Sequence, residues 1–162
     1  MFKARKVARG IGTYSLKPLS FHGCKGMTDI FFLSGLFSLR KLDLSDCCIL
    51  DEGIASDLGC LSSLIELNIS GNNFVDISKS SLKMLPRLRI LELVGCERLE
   101  RLAELPTTTE EIFADNCAFL MSSMGILTNY KMLQQVSFTN CVGLLQNQRT
   151  HVMATSLWLH LF

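Results

Sequence analysis

Seven cysteines and three histidines are the side chains of this 162-residue sequence best suited to metal binding or nucleophilic chemistry. A zinc site draws on Cys-x-x-Cys pairs with histidine close by. No such pair occurs among Cys24, Cys47, Cys48, Cys60, Cys96, Cys117 and Cys141. A catalytic thiol needs a base within hydrogen-bond reach, and His22, His151 and His160 match no known nucleophile–base constellation. Adjacent Cys47 and Cys48 make a poor redox pair, because neighbouring residues rarely meet disulfide geometry without strain. The pattern offers no metal, cofactor or catalytic set, and enzyme activity is not expected. Buried structural thiols are the expected role.

The composition suits a chain that buries a core, with 48% hydrophobic and 19% charged residues. Net charge is +1, which makes no overall case for nucleic-acid binding. The longest dense apolar stretch, Ile30 to Leu39, is far short of the roughly 20 residues of a membrane helix. The basic start lacks the apolar run of a secretory signal, although its freedom from acids before Asp29 is also a transit-peptide trait. An odd cysteine count spread along the chain favours a reducing compartment, with a cytoplasmic or nuclear location expected. Residues 1–42 carry eight Lys/Arg against one acid, and residues 43–162 carry eight against fourteen. Such a gradient can orient a partner. The cations Lys3, Arg5, Lys6 and Arg9 read as a solvated end, with an acidic surface as the other option.

Self-similarity organises the rest of the chain. Leu39, Leu42, Leu44, Cys47 and Ile49 spell L-x-x-L-x-L-x-x-C-x-I. The pattern returns at Leu64, Leu67, Ile69, Asn72, Phe74 and at Leu88, Leu91, Leu93, Cys96, Leu99. It is weaker at Thr109, Ile112, Ala114, Cys117, Leu120 and clear at Leu133, Val136, Phe138, Cys141, Leu144. Leu16, Leu19, Phe21, Cys24 and Met27 also fit. The copies start 23, 25, 24, 21 and 24 residues apart, inside the leucine-rich-repeat range. About six repeats of 21–25 residues therefore predict an α/β solenoid with a parallel sheet on its concave face. The alternating apolar pair of each copy points inward from a short strand. Chain leaving that strand buries backbone groups that need partners. Cys24, Cys47, Asn72, Cys96, Cys117 and Cys141 share one position, from which an amide or thiol supplies them.

Between strands, Ile54 to Leu61 and Ile77 to Leu85 have apolar spacing for one or two helical turns, and Pro86 ends the second. Leu99 to Pro106 is shorter and predicts an extended or 3-10 path. The expected organisation is a basic non-repeat segment at 1–15, the repeats at 16–145, and a tail at 146–162. That tail, with its apolar SLWLHLF end, is expected to leave the repeat and to open a following domain. No N-terminal cap is evident, so the chain is expected to begin inside a solenoid.

Residues Cys96 to Leu120 (CERLERLAELPTTTEEIFADNCAFL) followed by Val136 to Leu144 (VSFTNCVGL) resemble the late leucine-rich repeats of plant intracellular immune receptors. The closest class carries TIR and nucleotide-binding domains and includes N-like resistance proteins. LSGLFSLRKLDLSDCCILDEGI and LGCLSSLIELNISGNNF are similar to the same class, so the resemblance covers about residues 16–150. It implies pathogen sensing, with repeats that recognise an effector or a guarded host protein, or restrain the receptor's own nucleotide-binding domain. A G-x-x-x-x-G-K-[ST] loop is missing, and Gly10-Ile11-Gly12 is only a glycine pair. No TIR-like segment is present, so nucleotide binding and NAD hydrolysis are not assigned to these residues.

On the concave side, the residues between inward positions form the default binding surface. They include Arg40, Lys41, Asp43, Ile65, Glu66, Arg89, Ile90, Glu92, Val94, Glu110, Glu111, Phe113 and Asp115. His22, Asp46, Asn68, Gln134, Gln135, Ser137 and Thr139 complete the rows. Outward Ile65, Ile90, Val94 and Phe113 suggest a desolvated interface centre ringed by charge. The leading expectation is a non-enzymatic recognition module with a protein partner. One alternative is an F-box-type substrate adaptor, which Leu44 to Leu64 resembles. Another is a cell-surface receptor fragment, for which Asn68-Ile69-Ser70 would be a glycosylation sequon.

Overall fold

A computed structural model of the chain describes residues 18–27, 30–55, 58–77, 81–102, 104–121, 131–146 and 158–160. The expected 1–15 segment and Leu16 lie outside them. Each copy of L-x-x-L-x-L contributes one short strand. They are β1 (Leu19–Ser20), β2 (Lys41–Asp43), β3 (Glu66–Asn68), β4 (Ile90–Glu92), β5 (Glu111–Phe113) and β6 (Gln135–Ser137). A further strand, β7, spans Trp158–His160. All run parallel in sequence order, so each strand hydrogen-bonds only to the copies before and after it. Such a sheet is a solenoid, with nearest-neighbour cohesion throughout.

Register follows the repeat. Leu19, Leu42, Leu67, Leu91, Ile112 and Val136 stand side by side across the sheet. Apart from the half-buried Leu19, these residues are buried. The second inward row, Leu44, Ile69, Leu93, Ala114 and Phe138, is equally closed to solvent. Thr109 occupies the first core position of the weak copy and is fully buried like its leucine counterparts Leu39, Leu64 and Leu88. A three-residue strand has little intrinsic stability; burying both inward rows against the returning chain is what holds it.

The returning segments are short. Helix α1 covers Asp51–Ala55, 3-10 turns cover Leu58–Cys60 and Ser81–Met84, and α2 covers Val142–Gln146. The connection after Leu99 is extended at Arg101, which bridges to Asp76 of the preceding repeat and pairs with its carboxylate at 2.6 Å. At α2 the chain closes on its neighbour so tightly that only glycine fits: a Cβ on Gly143 would lie 2.8 Å from the Leu120 carbonyl oxygen.

Two expectations need correction. The tail does not wholly leave the repeat, because Gln135 is in register with Trp158 and Ser137 with His160, extending the ladder. Cys24 is exposed, whereas Cys47, Cys96, Cys117 and Cys141 are buried. The difference has a geometric cause. Each buried member donates backward, to the carbonyl of the second inward residue of the preceding repeat. Cys47 reaches Phe21 O at 3.1 Å, Asn72 reaches Leu44 O at 2.9 Å, and Cys96 reaches Ile69 O at 3.5 Å. Cys117 reaches Leu93 O at 3.2 Å and Cys141 reaches Ala114 O at 3.0 Å. Cys24 belongs to the first described repeat, and among the described residues no earlier strand stands behind it to offer a carbonyl.

Candidate functional site

Sheet register converts the outward positions into rows. One runs Lys41–Glu66–Ile90–Glu111–Gln135, and another runs Ser20–Asp43–Asn68–Glu92–Phe113–Ser137. Ahead of them lies a leading row, Arg40–Ile65–Arg89–Glu110–Gln134, joined by backbone bonds of 2.8 to 2.9 Å from each N–H to the preceding carbonyl. Behind them, Val94 and Asp115 accept backbone bonds from Gly71 and Gly95. The outward residues read from the repeat thus share one continuous face.

Two pairs of opposite charges join neighbouring repeats on this face. Lys41 meets Glu66 at 2.7 Å. Arg89 holds Glu110 in a two-pronged contact, Nε to Oε1 at 2.7 Å and Nη2 to Oε2 at 2.5 Å. This guanidinium fork lowers the Glu110 carboxyl below its ordinary range. Glu92 goes the other way, raised first by burial and then by Asp43 and Glu66, with no cation paired to it among the described residues. Outward Ile65, Ile90, Val94 and Phe113 are half-buried. The exposed large apolar residues, Phe37, Leu50, Met84, Phe119, Met121, Met132 and Val142, lie off these rows.

At the first strands the polar side chains interlock. Ser45 Oγ donates to Asp43 Oδ1 at 2.6 Å, and Ser20 Oγ donates to Asp43 Oδ2 at 2.9 Å. Burial opposes the Asp43 carboxylate, but these bonds and the Ser45 N–H outweigh it and lower its pKa. His22 Nδ1 lies 2.8 Å from Ser45 Oγ and 3.6 Å from Asp46 Oδ2. The single Ser45 proton is spent on Asp43, so His22 Nδ1 must be the donor in this contact. The order is carboxylate–hydroxyl–imidazole, which holds the serine proton on the wrong side for attack. Among the described residues no group of three or more His, Cys, Asp or Glu is placed to hold a metal. Nor is any helix there long and apolar enough to cross a membrane.

The ladder thiols are donors, which requires them protonated. Burial pushes Cys96 up to about 11 and also raises Cys47. Cys117 is raised by its neighbour Cys141 and then by burial.

Two features escaped the sequence reading. Gly23, Asp46, Gly71, Gly95, Asn116 and Asn140, each one residue before the ladder position, all adopt a left-handed backbone with φ between 56° and 71°. Their restriction to Gly, Asp and Asn was the available signal. Asp51, just after the second copy's ladder, accepts from Val75 N at 2.7 Å and Asp76 N at 3.1 Å, tying that repeat to the next. An acid between repeats carries no such mark.

Comparison with known proteins agrees with this geometry. Leucine-rich-repeat family models match residues 35–56 and 63–85. TMV resistance protein N of Nicotiana glutinosa is 37% identical over 121 residues, 73% of this chain and 10% of that protein. Disease resistance protein RPP2A of Arabidopsis thaliana is 26% identical over 78% of this chain and 9% of its own length. Disease resistance-like protein DSC1 of the same plant is 29% identical over 88% of this chain and 12% of its own. The chain therefore spans about a tenth of the length of these relatives. Register, ladder and matches together identify it as a leucine-rich-repeat region homologous to plant disease resistance proteins.

Proposed function

We propose that this chain is a non-enzymatic protein-recognition module of an immune receptor, and that its concave rows make the contact. The observation that carries the reading is a division of labour within each strand. Inward strand positions are all apolar and, from β2 to β6, buried, while outward positions change type from repeat to repeat. A face whose chemistry is free to vary on an invariant scaffold suits recognition. The partner is a pathogen effector, a guarded host protein or the nucleotide-binding domain of the same receptor. The site of action is the cytoplasm, with the nucleus as a second compartment.

Lys41 and Glu110 are poor probes of this face, since reversing either also breaks a pair between repeats. Photo-crosslinking avoids that. A photoreactive residue at Ile90, half-buried mid-face, should capture a defined protein in plant cells, and one at exposed Met84 on a returning turn should not. Glu111→Lys should weaken the capture. Equal capture from both positions, or none from Ile90, would remove the concave face from the function.

A further inference from the structure

The concave face is graded in charge along the strand direction. Just ahead of the strands stand Arg40, Arg87, Arg89 and Lys131 with one acid, Glu110, and that acid is taken by Arg89. The first strand residues Lys41, Glu66 and Glu111 carry both signs. At the strand ends stand Asp43, Asp46, Glu92 and Asp115, and the two rows there hold no Lys or Arg. On the positive side an open cleft of about 280 Å³ is bounded by Ile65, Pro86, Arg87, Arg89, Thr108, Glu110 and Met132. Its lining is mainly apolar, from Ile65, Pro86 and the 51% exposed Met132. One wall is fixed by the Arg89–Glu110 fork and by Thr108 Oγ1, which donates to Leu88 O at 3.0 Å. Arg87 stands on the rim, exposed and without an ion pair among the described residues.

We infer that this cleft takes a large apolar side chain of a partner segment whose flanking residues carry carboxylates. The apolar lining supplies the reason to bury such a group, and the wall fixed by hydrogen bonds keeps the space open for it. Charge selects the flanks. Arg87, Arg40 and Lys131 attract carboxylates along the strand-start edge, and the acids at the strand ends repel them from the rest of the face. A basic segment would be drawn to the strand ends instead, away from the cleft. This inference rests on the recognition reading and names the chemistry of its partner.

The test uses the 162-residue chain with isotope-labelled Ile and Met methyl groups. The probe is an acetylated, amidated pentapeptide with central phenylalanine flanked by glutamates and aspartates. Saturable shifts at the Ile65 and Met132 methyls are expected. Binding should be about tenfold weaker when alanine replaces the phenylalanine, and about fivefold weaker in Arg87→Ala. Met132→Glu should abolish it, whereas Met84→Glu, on the returning turn outside the cleft lining, should leave it unchanged. An analogue with lysine and arginine flanks that binds as tightly overturns the inference, as does silence at both methyls. Silence at the cleft with continued crosslinking from Ile90 removes the cleft alone. Saturable methyl shifts with no capture from Ile90 keep the cleft and remove the wider recognition reading.

Discussion

Asn72 is the one amide in a ladder otherwise built of thiols, and replacing it tests how the solenoid is held. Its Nδ2 donates to Leu44 O at 2.9 Å, Ile69 O at 2.8 Å and Ser70 O at 3.2 Å, and its Oδ1 accepts from Ile49 N at 2.9 Å. The side chain is 1% exposed, so water does not replace these partners. Asn72→Ala orphans the Ile49 N–H, at about 1–3 kcal/mol, and removes two N–H donors at about 1 kcal/mol each. The expected destabilisation is about 4 kcal/mol, a large share of the roughly 5–15 kcal/mol of an ordinary domain. Asn72→Cys restores a donor toward Leu44, as in the other repeats, but not an acceptor for Ile49. Its cost should be smaller by one donor, near 3 kcal/mol. Urea unfolding followed by circular dichroism gives both values from the midpoints at constant slope. The reasoning fails if Asn72→Ala lies within about 1 kcal/mol of wild type, or if the cysteine variant is no more stable than the alanine.

Thiol accessibility should follow the ladder. Mass-spectrometric mapping with a disulfide reagent should find exposed Cys24 and Cys48 modified quickly, with Cys47, Cys96, Cys117 and Cys141 protected until unfolding. Modification of Cys96 as fast as Cys24 would contradict the burial described above. Glu92 should set a pH dependence of stability. Its folded pKa is raised, so the folded chain binds the proton better than the unfolded chain. That contribution is complete at acid pH and is lost as pH rises through the folded value. Glu92→Gln should therefore melt higher than wild type near about pH 7 and show no advantage near about pH 3. A difference that stays constant with pH would assign the gain to something other than ionisation.

Much of this architecture is legible in the sequence because one spacing governs it. Leu42, Leu67 and Leu91 fall in register because each copy repeats the same alternation, and even Thr109 and Ala114 sit where the weak copy puts them. What sequence spacing misses are properties of neighbours. The exposure of Cys24 depends on the strand behind it, which a ladder position cannot announce. Pairing of Lys41 with Glu66 and Arg89 with Glu110 spans whole repeats and needs the lateral register before it can be read. The strand at Trp158–His160 was hidden because the sequence around it, from Ser156 to Leu161, spells S-x-x-L-x-L, with serine in place of the leading leucine of the pattern. The strand-start cleft draws on four repeats, at Ile65, Arg87, Thr108 and Met132, so no local motif contains it.

The backward ladder has a consequence for how such a chain changes over evolutionary time. Each donor meets a main-chain carbonyl, which every amino acid possesses, at a fixed offset in the copy before it. Any copy can therefore follow any other without a matching side chain, and duplication, deletion or unequal exchange of whole repeats leaves these bonds intact. Ion pairs between copies are the exception, because each depends on a particular neighbour: Lys41–Glu66, Asp76–Arg101, Lys83–Glu104 and Arg89–Glu110. Shuffling would strand charges there, so the three junctions from the second copy to the fifth are where exchange should be least tolerated.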